Sequence, residues 1–116
     1  MRFTHCYPKS TAKQLHPFLI RKLNALEEKL GYELDITSAF RTIAHEVANS
    51  RKGDSSHCFG LAVDIYCPTS RGRFHLLSAA IELGFKRLGV YKNYVHLDVA
   101  NYVEGQFKSS DVIWYG

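Results

Sequence analysis

Ser55-Ser56-His57-Cys58-Phe59-Gly60-Leu61-Ala62-Val63-Asp64-Ile65-Tyr66 is the stretch on which the reading of this chain turns. It begins as a polar loop, passes a histidine and a glycine, and becomes an apolar run interrupted by one aspartate. A period of two places Leu61, Val63 and Ile65 on one face of a strand and Ala62, Asp64 and Tyr66 on the other. Gly60 can take backbone conformations closed to other residues, so the chain can turn back between His57 and Asp64. A second stretch, Tyr94 to Val99, repeats the pattern, with Val95, Leu97 and Val99 facing one way and Tyr94, His96 and Asp98 the other. If a sheet sets the two polar faces side by side, two imidazoles and a carboxylate converge while the aliphatic side chains meet a core. A catalytic zinc takes three protein ligands of these types and keeps a fourth position for water. Spacing alone does not establish such a site, because a histidine seven residues before an aspartate arises by chance and a single histidine is more often a surface or hydrogen-bonded core residue.

Outward from these two strands the pattern predicts the scaffold. Phe85–Tyr91 and Tyr94–Val99 read as a hairpin around Lys92-Asn93, with asparagine tolerating the positive φ of a tight turn. Leu15, Phe18, Leu19, Leu23, Leu26 and Leu30 recur at helical spacing from Thr11, with Thr11 and Gln14 resembling a capping box and Gly31 a stop. Pro17 leaves two options, an interrupted helix or one that begins with proline as its first residue. Residues 33–40 alternate as a half-buried strand, with Leu34, Ile36 and Phe40 toward the core. Residues 42–49 suit a short helix with Ile43 and Val47 inward and His45, Glu46 and Asn49 outward. Residues 50–55 form a polar loop. Beyond Pro68, Ser70 can cap a helix whose apolar stripe is Phe74, Leu77, Ala80 and Ile81, ending at Gly84. Residues 1–10 read as an irregular arm, and the tail from Asn101 as a segment packed over an edge. The element order indicates an α+β domain with a mainly antiparallel sheet and helices packed on one face.

The chain of 116 residues is read as one domain, 1–116. Hydrophobic residues make up 46% and charged residues 22%, a globular balance that argues against disorder. No apolar run is long enough for a membrane span, and the N-terminus lacks a charged-then-apolar signal pattern. Synthesis in the cytoplasm is the expectation. Cys6, Cys58 and Cys67 cannot all pair and form no C-x-x-C motif, so reduced thiols are expected. A net charge of +4 favours a polyanionic surface, whether nucleic acid, anionic lipid or bacterial wall polymer, but only slightly, and it is too small and dispersed to mark a nucleic-acid recognition helix.

The motif residues give these features a context. Ser55, His57, Gly60, Ala62 and Asp64 fill the pattern Ser-x-His-x-x-Gly-x-Ala-x-Asp, His96 follows in a strand, and Ser38-Ala39-Phe40-Arg41 is similar to Ser-Gly-Tyr-Arg. Over residues 10–100 or so the chain thus resembles the D-alanyl-D-alanine carboxypeptidase and dipeptidase family of zinc peptidases, related in fold to lysostaphin-type and hedgehog-like domains. The resemblance implies that His57, Asp64 and His96 hold Zn2+ and that Arg41 sits over the site, meeting a substrate carbonyl or carboxylate. It implies hydrolysis of amide bonds in peptidoglycan stem peptides by a monomer, as a D,D-carboxypeptidase or an endopeptidase, with action at the cell wall if the chain is a phage lysin. Ser55 would shape the loop or bond near the site, and Tyr94, on the face of His96, would neighbour the substrate. Tyr66, Tyr91 and Trp114 could also line a cleft, but aromatic residues near a sheet are more often core. His5, His16, His45 and His75 lie outside the motifs and read as surface or helix residues.

One position departs from the family pattern. Many members carry a carboxylate three residues before the last histidine, where this chain has Asn93, which cannot serve as a base. The chain resembles instead a subgroup ending in His-x-Asp, here His96-Leu97-Asp98. Asp98 is then either the general base or the partner that orients a ligand imidazole, and Glu104 is a fallback base. A rival expectation is a zinc-stabilised domain without turnover that binds wall fragments or a protein.

Overall fold

The alternation around Asp64 and His96 becomes the centre of a sheet. Strand β2 (Ala62–Tyr66) lies antiparallel to β4 (Tyr94–Asp98), with Asp64 opposite His96 and Val63 opposite Leu97. The computed structural model describes residues 1–51, 53, 55–102 and 110–116. On one flank of the central pair runs β1 (Ile36–Ser38), antiparallel to β2; on the other runs β3 (Arg87–Val90), antiparallel to β4. A fifth strand, β5 (Val112–Tyr115), pairs parallel to β3 and completes the order β1-β2-β4-β3-β5. The tail expected only to cover an edge is therefore itself an edge strand.

One face of the sheet is greasy and covered by two helices, α1 (Pro17–Leu30) and α3 (Ser70–Glu82). Val63, Ile65, Val95 and Leu97 join Leu19, Leu23 and Leu26 of α1 and Leu76, Ala79 and Ala80 of α3 in one buried cluster. Each large aliphatic side chain withdrawn from water in this way contributes about 1.5–3 kcal/mol. The α+β architecture with a mostly antiparallel sheet is thus the observed one. No helix among the described residues is long and apolar enough to cross a membrane, and Cys6, Cys58 and Cys67 are unpaired thiols.

Several local expectations change. Pro17 opens α1 at its first position, and the preceding Ala12–Gln14 forms a separate 3₁₀ turn. Gln14 Oε1 accepts from Thr11 N at 2.9 Å, so that pair closes the 3₁₀ turn, while His16 Nδ1 caps the helix by accepting from Phe18 N at 3.1 Å. In α3 the cap is Thr69 rather than Ser70. Its buried stripe is Leu76, Ala79 and Ala80, leaving Phe74 and Ile81 exposed. Both stripes contain Ala80, and they differ by a rotation of about 100°, one residue's turn, which only the surface of α1 opposite could select. The β3–β4 turn at Lys92-Asn93 forms without positive φ at either residue.

The largest reversal is in α2 (Ile43–Ala48). Ile43 and Val47 are 57% and 58% exposed, whereas Glu46, expected outside, is fully buried. A helix under two turns long gains too little from an apolar face to fix its orientation, and ion pairs to Glu46 set it instead. Strand β1 is shorter than its alternation suggested, and Ala39 rather than Phe40 is buried. Its register slips between Ile36, opposite Ile65, and Ser38, opposite Asp64, an extra residue of the kind that re-aims side chains beside a site.

Gly60 ties the motif to the scaffold. It has φ +69°, and a Cβ there would lie 2.6 Å from the Gln14 carbonyl oxygen, while its own carbonyl accepts from His16 N at 2.8 Å. Gly60→Ala is expected to destabilise the fold by about 2 kcal/mol or more, read as a lower urea midpoint at unchanged slope.

Candidate metal centre

The three predicted ligands meet on the sheet face away from the helical core. Their nitrogen and carboxylate atoms all lie within 4.8 Å of one another. Asp64 Oδ1 is 3.4 Å from His57 Nε2 and 3.0 Å from His96 Nδ1. Each side chain reaches this point for a local reason. His57 is carried by a 3₁₀ turn, Ser56–Phe59, capped by the Ser55 hydroxyl, which accepts from His57 N at 3.1 Å. Asp64 and His96 are cross-strand neighbours in β2 and β4, so the pleat points both to one side.

The protons decide what the cluster can hold. His57 Nδ1 lies 2.6 Å from the carbonyl oxygen of Ala39, which can only accept, so Nδ1 carries the hydrogen and Nε2 of the neutral ring presents a lone pair. His96 lies between two carboxylates, with Nε2 2.7 Å from Asp98 Oδ2 and Nδ1 3.0 Å from Asp64 Oδ1; when Nε2 of the neutral ring donates to Asp98, Nδ1 turns a lone pair toward Asp64. In that form two lone pairs and an anionic oxygen converge, an arrangement that is repulsive until a metal ion or a proton joins it. For bonds of about 2.0–2.1 Å, tetrahedral neighbours lie about 3.3–3.4 Å apart, close to the two separations from Asp64 Oδ1, 3.4 and 3.0 Å. The donor types and their convergence fit a zinc-sized ion.

Without an ion, protons take the same place. Burial would push the Asp64 carboxyl up, but hydrogen bonds and charge from His57 and His96 outweigh it and hold Asp64 far below the ordinary carboxylate range. Burial would lower His96, yet Asp64 and Asp98 raise it above its ordinary value of 6.5. Asp98 is itself held low, its desolvation outweighed by His96, Arg87 and the Ala100 amide.

Behind the ligands, both Asp98 oxygens are engaged. Oδ2 accepts from His96, while Oδ1 accepts from Arg87 Nε at 2.7 Å and Ala100 N at 3.1 Å, and the residue is 1% exposed. Asn93 is exposed at the β3–β4 turn, and Glu104 falls outside the described residues. Arg41 reaches the site through Ser38 Oγ at 3.0 Å, Glu46 Oε2 at 3.4 Å and Asp64 Oδ2 at 3.3 Å. An open cleft of about 450 Å³ lies over the ligands, lined also by Arg41, Glu46, Arg51, Ser55, Tyr94 and Trp114. A larger depression of about 670 Å³ against α1 and α3 contains none of the converging ligands.

Sequence reasoning placed Ser55, Arg41 and Tyr94 at this cleft and left Tyr91 and Trp114 as more often core; it did not find Glu46 or Arg51, nor Arg87 behind Asp98. Tyr91 stacks on Tyr94 with ring centroids 4.4 Å apart, and Trp114 Nε1 donates to the Tyr91 hydroxyl at 2.9 Å. The indole lies 5.3 Å from the His96 ring and 5.2 Å from the Arg87 guanidinium. It fits because Gly89, opposite it on β3, has no side chain; a Cβ there would meet Nε1 at 2.6 Å. No local signal joins Trp114 to His96, since the contact needs the parallel β3–β5 pairing.

A sheet and an adjoining turn that bring two imidazoles and a carboxylate together beneath an open cleft define a metal-site scaffold. The sequence matches the family described as Peptidase M15 over residues 3–98, and the chain belongs to that family of zinc peptidases. No curated protein matches it.

Trp114, the single tryptophan, should report on the site. Copper(II) added to chelator-treated protein is expected to quench its emission saturably, and His96→Ala to abolish the saturable phase. Metal affinity should fall as pH drops through the raised His96 value, since the ring must lose its proton to bind. The sign for the metal-free protein is opposite: the charged ring's stabilisation is full below about 6.5 and lost as pH rises through the raised value. Fluorescence titrations and thermal melts across about pH 5.5 to 8.5 check both trends.

Proposed function

We propose that the chain is a zinc-dependent hydrolase of amide bonds in peptidoglycan stem peptides, acting at the cell wall. The observation that carries the metal assignment is the convergence of two imidazole nitrogens and one carboxylate oxygen, from His57, His96 and Asp64, beneath an open cleft. Membership of the peptidase family supports amide hydrolysis. The motif resemblance supports wall peptides, whose several carboxylates suit a cleft that presents Arg41 and Arg51.

Zinc held there would polarise the scissile carbonyl and bring the pKa of a bound water to about 7. The chain's own groups fix the geometry around that chemistry. Ala39 O and Asp98 Oδ2 lock the two imidazole tautomers, as carboxylates and carbonyls commonly do for metal-bound histidines. Arg41 is braced by Ser38, Glu46 and Asp64 at the cleft wall, where its remaining N–H groups can meet a carbonyl oxygen as negative charge develops. Tyr94, rigidified by stacking on Tyr91, offers a flat apolar contact for the peptide.

Of the two roles open to Asp98, orientation of His96 has the better support, because a base must reach the attacking water and both Asp98 oxygens are taken by His96, Arg87 and Ala100. Asp98→Ala is therefore expected to weaken zinc binding about 10–100-fold, with activity restored in part by excess zinc. Loss of turnover at unchanged zinc affinity would instead make Asp98 the base.

Engagement of Asp98 and the exposure of Asn93 favour one rival, a zinc-stabilised domain that binds wall fragments without cutting them. Mass spectrometry of peptidoglycan digested by the zinc-loaded protein separates the two. New amino termini that vanish with a chelator and with His57→Ala are expected, and their absence from the wild-type digest would leave the rival standing.

A further inference from the structure

Glu46 is fully buried yet its carboxylate serves two guanidinium groups. Oε2 accepts from Arg41 Nη1 at 3.4 Å and from Arg51 Nη1 at 3.2 Å, while Oε1 is buried with no hydrogen-bond partner among the described residues. The backbone adds a clasp, since Arg51 N donates to the Glu46 carbonyl at 2.9 Å. One buried anion thus holds two cations side by side at the cleft wall. The other carboxylate on Arg41 is Asp64, which is directed at the metal ligands.

The two arginines are not equivalent. The Arg41 side chain is 13% exposed and braced on three sides, whereas that of Arg51 is 50% exposed and Glu46 is its one carboxylate partner among the described residues. Both border the cleft over the ligands and also an adjoining cavity of about 260 Å³ that reaches Tyr7, His45 and Asn49. They stand where the two spaces meet, so a peptide lying across the metal ligands and into the second cavity would pass them.

We infer that Arg51, held beside Arg41 by the buried Glu46, is a specificity residue that binds a carboxylate of the peptide substrate next to the scissile bond. The inference rests on the peptidase reading for the identity of the peptide. A guanidinium fork matches a carboxylate with two parallel hydrogen bonds, which a purely structural ion pair on a half-exposed side chain does not require. Glu46 acts through the arginines and is a positioning residue.

The test compares the stem pentapeptide L-alanyl-γ-D-glutamyl-L-lysyl-D-alanyl-D-alanine with free carboxylates against the same peptide with every carboxylate converted to a primary amide. Calorimetric binding to metal-free protein, where nothing is cut, is expected to favour the free acid about tenfold, as loss of a charge-assisted hydrogen bond would predict. Arg51→Gln should erase that preference at unchanged melting temperature, and Arg51→Lys should keep part of it. With zinc-loaded protein the same substitution should raise KM for the free acid by a similar factor and change kcat little. Equal binding of the two peptides, no binding of either, or a preference that survives in Arg51→Gln would each overturn the inference. Failure of the zinc-loaded wild type to cut either peptide would count against the peptidase reading, while the calorimetric comparison still judges Arg51.

Discussion

Asp64 is a buried carboxylate whose Oδ1 is shared by two imidazole nitrogens, and most of this structure is arranged around that constraint. Removing a charge from water costs several kcal/mol even after relaxation, so such an anion persists only where cations or donors repay it. Arg41 repays part through Asp64 Oδ2. The rest falls to whatever lies between Oδ1 and the two rings, protons in one state and a metal in the other. The central β2–β4 pair supplies Asp64 and His96 from opposing pleats, while the Gly60 turn brings His57 back over them.

What makes the cluster selective for a cation is the outer layer. Ala39 O and Asp98 each take the far N–H of a ligand ring, and Asp98 is anchored by Arg87 and the Ala100 amide. Arg87 in turn lies against Trp114, seated over Gly89 by the parallel pairing of β5. A strand beyond the residues matched by the family therefore stiffens the second ring of the site. The opposite wall is stiffened differently, by an ionic clasp in which Glu46 turns the polar side of α2 inward and leaves Ile43 and Val47 in water.

These two walls explain where sequence patterns read true and where they failed. Asp64 and His96 were legible because a strand has a strict period of two, and any sheet that buries Val63 and Leu97 must turn both polar residues to the other side. His57 was legible through its motif and through the glycine that lets the chain return. The stripe of α3 and the orientation of α2 were not, because a helix offers overlapping faces and the choice depends on its partner. For α3 that partner is α1; for α2 it is a pair of guanidiniums that no hydrophobic pattern registers.

By itself, then, the sequence determined the α+β class, the central strands and the three metal-ligand candidates, all consequences of local periodicity and of a motif compressed into ten residues. Only the tertiary structure decided which nitrogen of each ring faces the site, since that follows from Ala39 and Asp98, residues set by the β1 register slip and the end of β4. It alone placed Trp114 against His96 and Arg51 beside Arg41. Contacts of this kind join side chains whose positions depend on strand pairing and buried charge, and neither has a period that can be read along a chain.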